Sequence, residues 1–563
     1  MVRQIVIVGG GTAGWMTAAY LRKTLDPACD ITVVESGTIR TIGVGEATFS
    51  TIKLFFDWLD LDETEWMPAC NATYKMAIRF VDWTSVGGHF YHPFQRYEMV
   101  DGVNLGEWWL KLKSGFEPSD YACFTVPALC DHLRSPRFLD GRVFDDQVQT
   151  CFTAEHRARK GVLADHLVQY PYAYHFDASL LADFLKNYAM HRGVRQVIDD
   201  VVEVRRRADA DADDGGCGDI AAVVTREHGA VGGDLFVDCT GFRGLLINQT
   251  LGEPFIPFSR ALLCDSAIAM QVPDDIAAHG IEPFTTATAL TSGWVWRIPL
   301  YGRIGTGYVY SSAFAGADEA EEELRRHLGP PADGCAAARL RMRIGRCRNS
   351  WVRNCVAIGL ASGFVEPLES TGIFFIQHGI ETLVDHLHAP PDEEMVRSYN
   401  RSVAECIDGV MEFLTLHYCA SDRRDTPFWR AASSEIEVPE ALAERLRLWR
   451  RRLPNRRNVN SAYHGFEAYS YSVMLLGLSG PLDASLPVLD LLSPRNALAA
   501  FDRVRARAAQ LVETLPSQYE YLTHARAVGG PGRLVREPRD PAAAQEASAP
   551  AAPARRSSAA SAA

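Results

Sequence analysis

The chain has 563 residues, 47% hydrophobic and 10% aromatic, which is enough apolar bulk for the cores of three or four domain-sized units. A net charge of -13 and a pI near 5.7 exclude a nucleic-acid or anionic-membrane binder, since both need a positive footprint. Thirteen cysteines, an odd number without a C-x-x-C pair, read as reduced thiols of a cytoplasmic protein.

The N-terminus, MVRQIVIVGG, carries a short apolar run that continues into a glycine loop with no small-residue cleavage site, so no secretory signal is expected. No apolar stretch approaches the roughly 20 residues that span a bilayer, and a soluble protein is expected. Arg3 to Val8 reads as a buried strand, GGGTAGW as a turn, MTAAYLRKTL as a helix and ITVVES as a second strand, the βαβ opening of a dinucleotide-binding fold. Gly9, Gly11 and Gly14, with Thr12 and Ala13 between the last two, form G-x-G-x-x-G at the strand-to-helix turn. There, missing side chains let a pyrophosphate approach the positive helix end. Glu35 closes the second strand 24 residues after Gly11, where an acid can accept ribose hydroxyls. The N-terminal position and the dispersed later blocks favour FAD over NAD. No second G-x-G-x-x-G of this type follows, so reduced flavin is expected from another protein.

Farther along, GEATFSTI places Gly45, Glu46 and Ala47 after the second strand, as a loop lying against a planar ring or as an ordinary glycine loop. NATYKMAIRFVDW alternates large apolar side chains with Thr73, Lys75, Ala77 and Arg79, the pattern of a half-buried strand. Taken alone, that strand puts Lys75 on its wet side. ADADADDGGCGD is a polar insertion joining two strands, and DLFVDCTGFRG is a strand ending at Gly241. GWVWRIP sets Trp294 and Trp296 on one strand face, where two indoles either wall a passage or fill a core. NCVAIGLASGFVEPLESTG runs from a strand through a loop to a helix. In EPLESTGIFFIQHGI, Thr371 and Gly372 should present unpaired amides at a helix N-terminus, a place for an anion. The alternative there is a plain Ser/Thr cap, with Glu369 a charge near the helix dipole and Glu366 a surface acid.

These features predict an α/β fold: a Rossmann-like FAD-binding domain of the flavin monooxygenase type over 1–390, interleaved with substrate-side sheet segments at about 86–170 and 250–340. A helical region over 391–530 should cover the substrate. The Ala, Pro and Ser tail, 531–563, is expected to be disordered.

From Met1 to about Thr523 the chain resembles the flavin-dependent tryptophan halogenases. GGGTAGW, GVGEAT, the lysine of YKMAIRFVDW, the W-x-W-x-I-P of GWVWRIP and EPLESTGI stand in family order. Flavin monooxygenases carry Gly-Asp near the ribityl chain, where this chain has Gly359-Leu360, which counts against a hydroxylase. The resemblance implies FAD used as FADH2, with O2 and chloride, supplied by a separate NAD(P)H-dependent flavin reductase, and no metal. Oxygen would give a flavin hydroperoxide that chloride, held by Thr371 and Gly372, converts to hypochlorous acid. Gly45, Glu46, Ala47, Gly359 and Ile373 would lie against the flavin, and Trp294 and Trp296 would keep substrate from the peroxide.

Lys75 matches the family's catalytic lysine, acting as a chloramine or as a hydrogen-bond donor to hypochlorous acid. Glu369 matches the paired carboxylate, and Ser370 would support the adjacent backbone. His92 and Phe94 match positions lining the indole site, with Pro93 a departure. Free-tryptophan halogenases carry a C-terminal aromatic segment with an acid; here it is the shorter NVNSAYHGFEAYSYSVMLL, with Glu467, Tyr463, Phe466 and Tyr469 as substitutes. A shortened lid leaves the pocket open, so the expected substrate is a tryptophan within a peptide, as for lanthipeptide-tailoring halogenases. Free tryptophan, another indole or a phenol are the alternatives. A flavin hydroxylase and a non-enzymatic flavin-binding module complete them, and a homodimer is compatible with the resemblance.

Overall fold

Parallel pairing builds the first layer, in the order Arg195–Ile198, Asp30–Glu35, Gln4–Val8, Leu235–Asp238 and Cys355–Ala357, with Trp351–Val352 added antiparallel at one edge. Its strands are apolar on both faces, Ile5, Ile7, Val33 and Val237 being buried on one and Val6, Val8, Val34 and Phe236 on the other, as a sheet covered on both sides requires. The computed structural model describes residues 2–38, 45–112, 116–145, 170–208, 217–387, 392–459, 464–478 and 486–529. The expected disordered tail, 531–563, and Tyr463 of the lid lie outside them.

Helix Thr12–Thr24 leaves the first strand at Gly11 and packs against helices Ala178–Met190 and Gly372–His386. A Cβ on Gly14 would stand 1.9 Å from the Gly9 carbonyl oxygen, so this glycine sets how closely helix and strand approach.

A second, seven-stranded sheet runs Ala337–Arg341, Ser266–Pro273, Arg303–Tyr310, Gly293–Leu300, Phe284–Leu290, Ala77–Val81, His89–Pro93. The chain enters it between visits to the parallel sheet, as the aromatic, strand-like stretches predict. The polar insertion joins the antiparallel strands Val201–Ala208 and Cys217–Thr225. The C-terminal pattern is realised in helices that include Glu440–Trp449 and Arg495–Thr514. Ahead of them, Glu393–Cys419 is a 27-residue helix started by the Asp392 side chain, which accepts from the Met395 amide.

The single half-buried strand expected over Asn71–Trp83 is two strands in two sheets. Thr73–Lys75 pairs with Ala173–Asp177, which also holds Gly45–Ala47, whereas Ala77–Val81 pairs with Phe284–Leu290 and His89–Pro93. Met76 makes the break: its N–H donates to the Pro283 carbonyl at 2.7 Å and its carbonyl accepts from Phe94 at 3.0 Å. Thr73 through Ile78 are buried on both faces, and Lys75 has 0% exposure. The wet-side reading of Lys75 therefore fails, because the small sheet and its neighbours cover both sides of this short strand.

Among the described residues the cysteines whose side chains are described are free, no His/Cys/Asp/Glu cluster could hold a metal, and no helix is long and apolar enough to cross a membrane.

Trp296 pairs across the sheet with Gly307, where a Cβ would fall 2.2 Å from the indole Cη2 and 2.4 Å from the Ile268 carbonyl. The missing side chain makes room for the ring. Gly307→Ala should lower stability by about 1–3 kcal/mol, read as a lower denaturation midpoint. An unchanged midpoint would mean that the indole does not lie against this backbone.

Candidate active site

A cavity of about 970 Å³ opens where the parallel sheet meets the seven-stranded one. Gly9, Gly11, Thr12, Ala13 and Glu35 are among the residues lining it, and so are Gly45, Glu46, Ala47, Gly359 and Ile373. Gly14 packs the helix and does not reach it. The residues fit a dinucleotide. The helix beginning after Gly11 has neither a side-chain cap nor an acid in its first turn, and a Cβ on Gly10 would lie 1.6 Å from Glu35 Oε2. Such a bare helix end and backbone cradle suit a pyrophosphate. Glu35 accepts from Trp15 Nε1 at 3.1 Å and from Gln196. Burial pushes the Glu46 carboxyl up to about 7.

Ser370 lines this cavity and also meets Lys75. Lys75 Nζ donates to Ser370 Oγ at 2.9 Å and to the Thr48 carbonyl at 3.1 Å, and it stands 5.2 Å from the Phe94 ring centroid. Burial lowers its pKa from 10.5 to about 7, the nearby Glu369 charge opposing the shift. Ser370 holds a left-handed backbone, φ 62° and ψ 38°, a conformation that costs energy away from glycine. Thr48 directly follows the Gly45–Ala47 strand, so one segment supplies both a cavity wall and a partner of the lysine.

Thr371 precedes helix Gly372–His386 but makes no side-chain cap, and the first turn holds no acid. The plain-cap reading is thereby removed. Gly372 borders the cavity, and a Cβ there would meet nothing within 4 Å.

Glu369 is buried between two imidazoles. His92 Nδ1 lies 3.1 Å from both carboxylate oxygens, and His417 Nε2 lies 2.8 Å from Oε1. Burial alone would raise this carboxyl, but the His92 charge and the hydrogen bonds from both rings hold it at about 2. His417 Nδ1 must donate to the Phe413 carbonyl at 2.8 Å, since a carbonyl only accepts. The contact of Nε2 with Glu369 thus needs a proton of its own, carried by the ring or by the carboxyl. Sequence reasoning missed His417; its only signal is its place on a buried helix face, which any core histidine shares.

Trp294 and Trp296 are buried with ring centroids 6.5 Å apart, and Trp296 faces the cavity. Glu366 is not the surface acid of the bland reading. It has 0% exposure and accepts from Trp294 Nε1 at 3.1 Å and from the Tyr418 hydroxyl. Burial raises its carboxyl to about 7. Its burial follows from the turn Pro367–Glu369, which carries the chain inward between the tryptophan strand and helix Glu393–Cys419.

The described part of the lid closes onto this centre. Phe466 stacks on Phe413 at 4.0 Å and meets Phe49 at 5.4 Å, and Tyr469 lies 6.2 Å from His92. Helix Ala468–Leu478 packs so closely on the sheet that a Cβ on Gly477 would lie 2.4 Å from the Phe90 ring. Glu467 pairs with Arg96 at the rim. Over 464–478 the expected shortened lid thus presents Phe466 and Tyr469 against Phe413, Phe49 and His92.

A family model described as tryptophan halogenase matches residues 4–494. The chain is 52% identical over 526 residues to tryptophan 6-halogenase SttH of Streptomyces toxytricini, covering 92% of this chain and 97% of that protein. The crystal structure of that protein superposes with a TM-score of 0.85 at 51% identity, over 93% of this chain and 99% of the other. Identity to the 7-chloro-L-tryptophan 6-halogenase KtzR of Kutzneria sp. (strain 744) is 50% over 536 residues, covering 93% of this chain and 99% of that one. MibH, a lanthipeptide tryptophan 5-halogenase, gives a TM-score of 0.76 at 29% identity, over 93% of both chains.

The lysine environment has a thermodynamic signature. Between pH 7 and 10.5 the unfolded chain keeps the Lys75 proton and the folded chain does not, so this group's contribution to stability rises with pH across that window and is lost as pH falls through it. Lys75→Met removes the buried amine and should raise the denaturation midpoint near neutral pH, by a free energy on the order of a few kcal/mol. The gain should shrink in alkaline buffer. A lower midpoint at every pH would contradict the assignment.

Proposed function

Since this chain belongs to the tryptophan halogenase family and is a flavin-dependent halogenase of tryptophan, we propose that it chlorinates carbon 6 of free tryptophan, with Lys75 and Glu369 as its catalytic pair. The observation that carries the reading is Lys75, buried and bonded to Ser370 at 2.9 Å, where Ser370 itself lines the dinucleotide cavity. Reduced FAD, bound along Gly9–Ala13, Glu35 and Gly45–Ala47, would supply with O2 and chloride an electrophilic chlorine as hypochlorous acid. The amides at Thr371 and Gly372, unopposed by any acid in that turn, support chloride binding at the cavity edge. A separate NAD(P)H-dependent reductase would deliver the reduced flavin.

Two of the three hydrogens of a Lys75 ammonium go to Ser370 and Thr48, which leaves one for the oxygen of hypochlorous acid. As a ring carbon takes the chlorine, the O–Cl bond breaks and the leaving oxygen takes the Lys75 proton, giving water. Glu369, held ionised by His92 and His417, accepts the ring proton as aromaticity returns. Atoms balance as one arene hydrogen and hypochlorous acid giving one aryl chloride and water. A proton moving from Glu369 to Lys75 restores both groups. Trp294 and Trp296, the former fixed by Glu366, separate the indole from the flavin side.

Carbon 6 and the free amino acid are supported by two relatives at 50% identity or more that are named 6-halogenases, and by the aromatic lid seated on the pocket. The peptide reading has as its support only the lid's shortening and a neighbour at 29% identity. A chloramine on Lys75 is the second mechanistic reading, favoured by the amine's lowered pKa.

Mass spectrometry of the protein with FAD, a flavin reductase, NADH, oxygen and chloride should find one chlorine at carbon 6 of free tryptophan. A tryptophan-containing lanthipeptide precursor should stay unmodified, and chlorine on that peptide alone would overturn the substrate. Lys75→Ala and Glu369→Gln should each lower product formation by about 100-fold or more with FAD affinity retained. Retained chlorination would remove either residue from the chemistry. The wild-type chemical step should slow as pH rises through about 7. Acceleration over that range would favour the chloramine.

A further inference from the structure

Strand Ala173–Asp177, which pairs with the Lys75 strand, carries the fully buried His175. Thr73 Oγ1 gives its single hydrogen to the Pro299 carbonyl at 2.7 Å, because a carbonyl only accepts. In the 3.0 Å contact between Thr73 Oγ1 and His175 Nδ1, the ring nitrogen is therefore the donor. The imidazole is neutral, since burial and then the Lys75 charge push its pKa well below the usual value. A neutral ring protonated at Nδ1 has only a lone pair at Nε2, so the Thr285 hydroxyl donates to it at 2.9 Å. Three hydrogen bonds thus run in one direction, from Thr285 through His175 and Thr73 to Pro299.

Thr285 lines the dinucleotide cavity, as do Trp296 and Ile298 of the strand paired with its own. With its hydrogen committed to His175, its oxygen offers that cavity lone pairs alone. On a wall otherwise made of apolar side chains and an indole, it can take a donor and must repel an acceptor. The two redox states of a flavin differ in this respect at N5, which carries a hydrogen when reduced and a lone pair when oxidised. Without His175 the hydroxyl could turn and serve either state.

We propose that Thr285, its hydroxyl hydrogen held by His175, selects reduced over oxidised FAD by accepting the N5–H of the reduced ring. Thr285 is a cofactor-specificity residue and His175 is the positioning residue that fixes its polarity. The inference rests on flavin occupying this cavity, and it adds a redox preference to that reading.

The test needs no halogenation. Dissociation constants for FAD, and anaerobically for dithionite-reduced FAD, are measured for the full chain as wild type, Thr285→Ser and Thr285→Val. The wild type and the serine variant should bind the reduced form more tightly. In Thr285→Val the ratio of the two constants should move about tenfold toward parity, a fall of about 30 mV in the bound two-electron potential. Should the valine variant fail to fold, Thr285→Ala carries the same expectation. An unmoved ratio overturns the inference, including the case in which both affinities fall together, and leaves the flavin site standing. Failure of wild-type protein to bind either form would overturn both.

Discussion

An amine withdrawn wholly from water loses solvation that a serine hydroxyl and one carbonyl replace only in part, and that imbalance at Lys75 organises the structure around it. The strand carrying it stops after three residues because Met76 bonds to Pro283 and Phe94, and Lys75 ends this strand of the small three-stranded sheet fully buried, not on a surface. The Gly45–Ala47 segment, having formed one wall of the dinucleotide cavity, supplies the Thr48 carbonyl to the amine. Ser370 accepts its left-handed backbone to bring a hydroxyl to the same nitrogen. The left-handed backbone of Ser370 costs stability, and it converges with the other two on one group, the expected sign of a functional centre.

Around that centre the buried acids are differentiated by what donates to them. Glu369, between His92 and His417, is held ionised, whereas Glu366 and Glu46 are pushed toward neutrality by burial. The first is equipped to receive a proton. The second holds the Trp294 indole by its N–H, and the third lines the cavity. Family membership removes the flavin hydroxylase and the non-enzymatic flavin module as readings of this arrangement. The directional chain from Thr285 to Pro299 extends the same logic to the cofactor, whose redox state it is placed to sense.

The parallel sheet and its glycine turn were legible because strand, turn and helix each have a local signature, and the residues from Gly9 to Ala13 line the cavity they predict. Gly14 was read too generously, since spacing cannot tell a glycine that touches a ligand from one that lets a helix approach a strand. Lys75 was misread from its own strand because alternation reports two faces and not what covers them. Only the family motifs raised it. Glu366 looked like a surface acid for the same reason: one charged residue in a loop carries no record of the tryptophan and tyrosine that will donate to it. His417, Thr48, His175 and Thr285 leave no distinguishing signal, being common residue types whose meaning lies in hydrogen-bond partners up to 126 positions away. The length of the lid is legible in the sequence, whereas the ring contacts of Phe466 and Tyr469 with Phe413 and His92 are not.

The central claim is that the Lys75 amine titrates near neutrality because it is buried. The chain has only seven lysines, so 13Cε-labelled lysine gives a tractable NMR spectrum in which the Lys75 signal is the one lost in Lys75→Arg. The account predicts that this resonance titrates with a midpoint near 7, apart from the other lysines. A midpoint at the ordinary lysine value of about 10.4 would mean that the amine is solvated, and the account of the site would fail.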